Sequence, residues 1–313
     1  MNKVASYLQG HVMGEVSTRI DEREKLSRDE SILAIKPEMA VYPRNTNDIR
    51  KTTRLAWQLA QKGHALNVTV RGDGRDQTGA SIGKGISLVT SRHLQQIFEY
   101  EPKQKLVRLQ PGVKTSTLKA ALRMHGTAIP ALPDRGTVGA AVASDADSRL
   151  SDKFGTTADW VDKLEVVLAS GEVIQTGRIS KRELDKRKGL QGREGDIYRG
   201  VDAILDDHEE FIKQLSESNN HDRSGYAGIA QVRGKGGSFD LTPLIVGSQG
   251  TLGLVAEMIL RSEFMPLESM CGVALFDDAE AARDSLDELR KLDFSYLEYY
   301  EGTLLKSAIE QGK

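Results

Sequence analysis

The stretch Val70-Arg71-Gly72-Asp73-Gly74-Arg75-Asp76-Gln77-Thr78-Gly79 decides how this 313-residue chain is read. It closes a segment in which Leu66, Val68 and Val70 alternate with Asn67, Thr69 and Arg71, the period of a β-strand. Glycines at 72, 74 and 79 let the backbone turn sharply and aim successive N–H groups at one spot. Such a nest suits an anion, most often a nucleotide phosphate. A dinucleotide-binding Rossmann loop would need a third glycine where Gln77 stands and a helix immediately after. The next element, Ile86 to Val89, reads instead as a strand, and no Gly-Lys-Ser/Thr follows for a Walker loop. Taken alone, the loop is also compatible with a glycine-rich turn that binds nothing.

Outward from this loop the pattern is α+β. Residues 1–40 read as a polar, partly helical arm with a charge-dense stretch from Arg19 to Glu30. Thr46 or Asn47 is placed to cap a helix carrying Ile49, Ala56, Leu59 and Ala60, stopped by Gly63. Leu106 to Leu109 forms a strand ending at Pro111-Gly112, and Ser116 is placed to cap a helix with Leu118, Ala121 and Leu122 inward. Residues 161–176 read as a hairpin, Ile179 to Gly195 as an irregular basic excursion, and Asp196 to Leu215 as one long helix using Ile197, Val201, Ile204, Leu205 and Phe211. Leu254 to Leu260 is a strand. A boundary falls near Pro266, and strand Val273–Phe276, helix Ala279–Arg290 and strand Tyr296–Tyr300 follow it.

Lys+Arg 43 against Asp+Glu 45 leaves a net charge of −2, which steers the chain toward neither nucleic acid nor an anionic membrane. A small molecule is the expected partner. The single cysteine, Cys271, excludes an intramolecular disulfide and a multi-cysteine metal site, and its apolar neighbours predict a small core residue. No metal is expected. No apolar run approaches the roughly 20 residues of a membrane span, and Met1 to Tyr7 lacks a secretory pattern, so a cytoplasmic location is expected.

Two further glycine-rich segments change the weight of the loop. One is Pro133-Asp134-Arg135-Gly136-Thr137-Val138-Gly139-Ala140-Ala141-Val142-Ala143-Ser144, continuing to Lys153-Phe154-Gly155-Thr156-Thr157-Ala158-Asp159; the other is Gly247-Ser248-Gln249-Gly250-Thr251-Leu252-Gly253-Leu254-Val255. With Pro43, and in this order, the segments resemble the vanillyl-alcohol oxidase / p-cresol methylhydroxylase flavoprotein family, in its glycolate oxidase and D-lactate dehydrogenase-like branch. The resemblance spans about Ser31 to Met265.

It implies two α+β subdomains over residues 41–265 that hold FAD between them, and then, over 266–313, the start of an incomplete substrate (cap) domain. It implies that Arg71, Gly72, Asp73, Gly74, Arg75, Asp76, Gln77, Thr78 and Gly79 wrap the pyrophosphate, and that Pro43, Pro133 and Gly136 also belong to the cofactor site. Thr137, Val138, Gly139, Ala143 and Ser144 would line the flavin and ribityl side, supported by Gly155, Thr156 and Asp159. Leu254 and Val255 would approach the adenine end. A Cβ at Gly74 or Gly79 would then meet the pyrophosphate or forbid the required φ.

The chain departs from the family pattern in places. Asp73 stands where a small residue is usual, and Arg75 where a small residue or a flavin-linked His is found, so FAD is expected to be non-covalent. Arg75 is placed to pair with Asp73. Ala140 replaces a common glycine. The six histidines, His11, His64, His93, His125, His208 and His221, show no acid/base spacing, and no catalytic base is nominated. The expected function is an FAD-dependent dehydrogenase or oxidase that moves hydride from a 2-hydroxy acid to the flavin, with an unidentified electron acceptor. The alternatives are a non-catalytic flavin module and an enzyme like UDP-N-acetylenolpyruvoylglucosamine reductase.

Overall fold

A computed structural model describes residues 3–217, 225–265 and 270–312. The first part of the chain runs α1 (Lys3–Gln9), β1 (Glu15–Ser17), α2 (Ile20–Lys25), β2 (Met39–Tyr42), α3 (Thr46–Gln61), β3 (Val68–Arg71) and β4 (Ile86–Val89). Its sheet has the order β1-β2-β4-β3, with β2, β4 and β3 parallel and β1 antiparallel at the edge. β2 and β4 are buried throughout, as strands covered on both faces should be.

The second part holds β5 (Ile97–Glu101), β6 (Leu106–Leu109), α4 (Thr115–Arg123), β7 (Thr127–Ala128), α5 (Val138–Ser144), α6 (Ser151–Phe154), β8 (Val161–Val167) and β9 (Val173–Gln175). An excursion of α7 (Lys181–Lys188), α8 (Arg193–Asp207) and α9 (Glu209–Glu217) precedes β10 (Leu254–Arg261) and β11 (Glu263–Phe264). β5-β6-β10-β8-β9 form an antiparallel sheet, and β10 alternates buried and half-buried residues as a one-sided strand does.

One shared core fixes the two sheets against each other. Ile49 of α3 and Leu88 of β4 pack with Val167 of β8 and with Leu254 and Ala256 of β10. The Thr46 hydroxyl donates to Glu165 at 2.9 Å and Arg50 donates to the Gly171 carbonyl at 3.1 Å, so α3 is pinned to both.

Several sequence expectations are corrected. Residues 1–40 are no arm: α1 buries Ala5 and Leu8 on the first sheet, and β1 pairs with β2. The fully buried Asp48 accepts N–H bonds from Met13, Gly14 and Arg44 at 2.8–3.0 Å, which binds the amino-terminal segment to α3. Asn45, not Thr46 or Asn47, caps α3, and α4 starts after Lys114 with no side-chain cap from Ser116.

Ile179–Gly195 contains α7, capped by Ser180 and anchored by a single buried residue, Leu184; one apolar residue among seven polar ones leaves no periodic stripe to read. The long helix breaks at His208, and Ile204 and Phe211 face solvent because the small core around Tyr198, Leu205 and Phe239 does not extend to them. Among the described residues of 270–312 there is no strand. Val273 and Leu275 are over 80% exposed and Cys271 is exposed, since no neighbouring strand there pairs their backbone groups. The helix expected over 279–290 is two short ones, Ala279–Asp284 and Leu286–Arg290. The expected boundary at Pro266 and His221 lie outside the described residues.

Candidate functional site

Between the sheets lies a cleft of about 550 Å³, and three loops far apart in sequence line it. The first leaves β3 at Gly72. Its shape is set by the Asp76 carboxylate, which accepts the N–H groups of Thr78 at 2.9 Å and Ala80 at 2.7 Å. Ser91 and Thr90 hydroxyls donate to the carbonyls of Gly72 and Arg71 at 2.8 and 3.2 Å, fixing where the loop departs. Among the described residues, the backbone N–H groups of Asp73, Gly74, Arg75 and Gln77 have no acceptor in the protein.

The second loop opens α5. Thr137 caps it, accepting from the Ala140 N–H, and the Gly139 N–H donates to Pro111 at 2.8 Å. A Cβ at Gly139 would lie 2.7 Å from the Pro111 carbonyl oxygen, and one at Gly72 would lie 2.3 Å from the Thr137 hydroxyl. Glycine at these two positions is therefore what lets the first loop, α5 and the end of β6 meet. The third loop docks on the other end of α5: Gly247 and Gln249 N–H groups donate to Val142 and Ala143 at 3.0 and 2.8 Å.

A strap from the amino-terminal segment supports the first loop from outside. Arg71 is buried and its guanidinium donates to the Arg28 carbonyl at 2.8 Å and, more weakly, to that of Ser81. Burial pulls the Arg71 pKa below its ordinary value, against the opposing charges of Asp29 and Asp73. The Glu30 N–H donates to the Asp76 carbonyl, and the Ser81 hydroxyl donates to Asp29 at 3.0 Å.

Burial alone would raise the Asp29 pKa. Bonds from the hydroxyl and N–H of Ser31 and from Ser81, with the charge of Arg71, outweigh burial and hold it below the usual carboxylate value. A depressed folded-state pKa contributes stability above the unfolded value near 3.9, lost as pH falls through the folded one. Asp29→Ala should therefore lower the melting temperature at neutral pH by about 2–4 °C, for a loss of about 1 kcal/mol. The gap between variant and parent should close on acidification; a gap independent of pH would remove Asp29 from this role.

Of the residues predicted for the site, Gly72, Arg75, Asp76, Gln77, Thr78, Pro133, Gly136, Thr137, Gly139, Ala143, Ser144 and Val255 line the cleft. Pro43, Arg71, Asp73, Gly74, Gly79, Val138, Gly155, Thr156, Asp159 and Leu254 do not. Val138 and Leu254 are core residues, and Arg71 faces the strap. Gly155, Thr156 and Asp159 form a capped turn in which the Thr156 N–H donates to the Asp159 carboxylate at 2.9 Å. Arg75 does pair with Asp73, at 3.5 Å, and more closely with Glu30, at 2.7 Å.

The sequence also left out residues that line the cleft. Ser248, Gln249 and Gly250 do so, and the positive φ of Gln249 (52°) and Gly250 (81°) is what their glycine-rich segment signals. Thr90, Pro111 and Ile245 carried no local signal at all.

A cleft lined by residues with free N–H donors, Arg75 and Gln77, and by the small residues Gly139, Ala140, Ala143 and Ser144 fits a flat, diphosphate-bearing cofactor. Residues 37–177 match the FAD binding domain family. The chain carries an FAD binding domain.

This FAD binding domain spans β2 to the end of β9, and so includes the first two loops of the cleft. The chain is 32% identical over 251 residues to the D-2-hydroxyglutarate dehydrogenase of Pseudomonas putida, covering 79% of this chain and 25% of that protein. It is 25% identical over 257 residues to a glycolate oxidase subunit of Bacillus subtilis, covering 81% of this chain and 43% of that one. The chain thus spans about a quarter of the length of the D-2-hydroxyglutarate dehydrogenases it matches. Among solved structures, an alkyldihydroxyacetonephosphate synthase superposes with a TM-score of 0.62 at 15% identity, over 94% of this chain and 46% of that one, and so shares the fold.

Proposed function

We propose that this chain is the cofactor-holding part of an FAD-dependent dehydrogenase or oxidase that acts on the CH–OH group of a 2-hydroxy acid. The observation that carries the reading is the convergence of three sequence-remote, glycine-rich loops on one cleft. The dehydrogenases and the glycolate oxidase subunit similar to it act as its chemical precedent. When bound, FAD supplies the acceptor at flavin N5 for the hydride of the substrate α-carbon.

The chain's own residues bind and orient. The backbone N–H groups of Arg75 and Gln77, on residues that line the cleft, receive the diphosphate. Gly136, Gly139, Ala140, Ala143 and Ser144 leave room for the flavin and ribityl side, while Ser248 to Gly250 and Val255 close the opposite wall. Gly74, Arg71 and Asp76 act one step back, by holding the loop in shape. We place the cofactor domain at 41–265 and the beginning of a substrate domain at 266–313, with a 2-hydroxy acid and a separate electron acceptor as partners. A cytoplasmic location belongs to the same reading; no helix among the described residues is long and apolar enough to cross a membrane.

The test is optical. Purified chain should absorb in the near-ultraviolet and blue, and the chromophore should stay in the supernatant after acid precipitation, since Arg75 occupies the position of a covalent histidine link. A chromophore in the acid pellet would overturn the non-covalent assignment. Colourless protein that also fails to bind added FAD in a calorimeter would sink the reading as a whole.

A further inference from the structure

Three arginines, Arg71, Arg75 and Arg135, stand on the first two loops, and the structure gives them different surroundings. Arg71 is buried and committed to the carbonyls of Arg28 and Ser81. Arg75 lines the cleft but is shared between Glu30 and Asp73. Arg135 lines the cleft, and no carboxylate among the described residues lies within ion-pair distance of it. Its neighbour Asp134 does not neutralise it, because Lys119 of α4 holds that carboxylate at 2.7 Å and keeps its pKa below the ordinary value.

The two loops face each other here. The Asp73 carboxylate comes within 4.0 Å of where a Cβ on Gly136 would sit, so the first two loops meet at the corner of the cleft lined by Arg75, Arg135 and Gly136. Around Arg75 stand three carboxylates: Glu30 and Asp73, which pair with it, and Asp76, which lines the cleft. The first loop's own charge is therefore net negative and repels a diphosphate; Arg135 offsets part of that charge and adds a planar fork of donors.

We infer that Arg135 is the cation that pairs with the diphosphate of the dinucleotide, compensating for Asp73. The inference rests on the cofactor reading above, and assigns the phosphate contact to the second loop's arginine while Arg71 and Arg75 serve the first loop's own structure.

Binding of FAD, ADP and riboflavin to the chain of residues 1–313 tests it, with calorimetry for ADP and flavin fluorescence for the other two. Arg135→Gln should weaken FAD and ADP at least tenfold and leave riboflavin, which has no phosphate, within twofold. Arg135→Lys should recover part of the loss, and the loss of FAD affinity on raising salt should be smaller in Arg135→Gln than in the parent. The side chain is exposed, so circular dichroism and melting should match the parent. FAD and ADP affinities unchanged in Arg135→Gln, with the parent binding both, would overturn this inference alone. Equal loss for riboflavin would overturn it too, by moving Arg135 to the flavin end. A parent chain that binds neither FAD nor ADP would overturn the cofactor reading and this inference with it.

Discussion

Gly74→Val is expected to weaken FAD binding about 30- to 150-fold, although Gly74 does not itself line the cleft. Gly74 has a φ of +78°, a region that a β-branched residue enters only with strain. A Cβ there would also lie 1.9 Å from the Arg71 guanidinium. On an exposed side chain such a contact is relieved by rotation. Arg71 is buried, however, and held by the Arg28 and Ser81 carbonyls, so the loop or the strap must give way. Strain of this kind costs roughly 2–3 kcal/mol, which sets the fold-change. Gly126→Val is the matched control: its φ is +68°, nothing lies within 4 Å of the added Cβ, and it is remote from the lining residues. It should lose stability without losing FAD affinity. Titration calorimetry of the two variants separates the cases, and equal affinities for FAD would show that the shape of the 72–81 loop does not matter to the cofactor.

Reduction of the bound flavin by 2-hydroxy acids should be slow in this chain, about 10²- to 10⁴-fold slower than in a D-2-hydroxyglutarate dehydrogenase assayed beside it. That is the usual contribution of a positioned general base. The titratable residues that line the cleft are Arg75, Asp76, Arg135, Asp145 and Asp147. Asp76 already accepts the N–H groups of Thr78 and Ala80, and Asp145 that of Ala158 at 2.8 Å, so both carboxylates are committed to the backbone. Asp147 is engaged as well. The arginine assigned to the diphosphate is not available for a substrate carboxylate. Anaerobic bleaching by D-2-hydroxyglutarate, D-lactate and glycolate measures the rate directly. Fast bleaching by any of them would mean that a base and an anion site lie within these 313 residues.

How far the sequence carried the reading differs between elements for physical reasons. β4 and β6 begin and end where their apolar runs do, at Ile86–Val89 and Leu106–Leu109, because a short buried strand bounded by glycine or proline is a local pattern. The three glycine-rich segments were legible because a positive φ or a close approach demands glycine wherever the chain goes next. Helix α7 was not, since one buried leucine among charges leaves no stripe. The expected strands after residue 270 had the right composition, but strand composition becomes a sheet only where a second strand is in reach.

The sequence by itself determined the α+β class and the identity of the three loops, because each depends on residues adjacent in the chain; the cofactor followed from the family resemblance those loops carry. Tertiary structure decided what each side chain does. It turned Arg71 toward the strap, divided Arg75 between two carboxylates, left Arg135 open to the cleft, and brought Thr90, Pro111 and Ile245 to its walls. These outcomes depend on which segments meet across the shared core of α3, β4, β8 and β10, and contacts between residues as far apart as Ile49 and Leu254 leave no trace in local spacing.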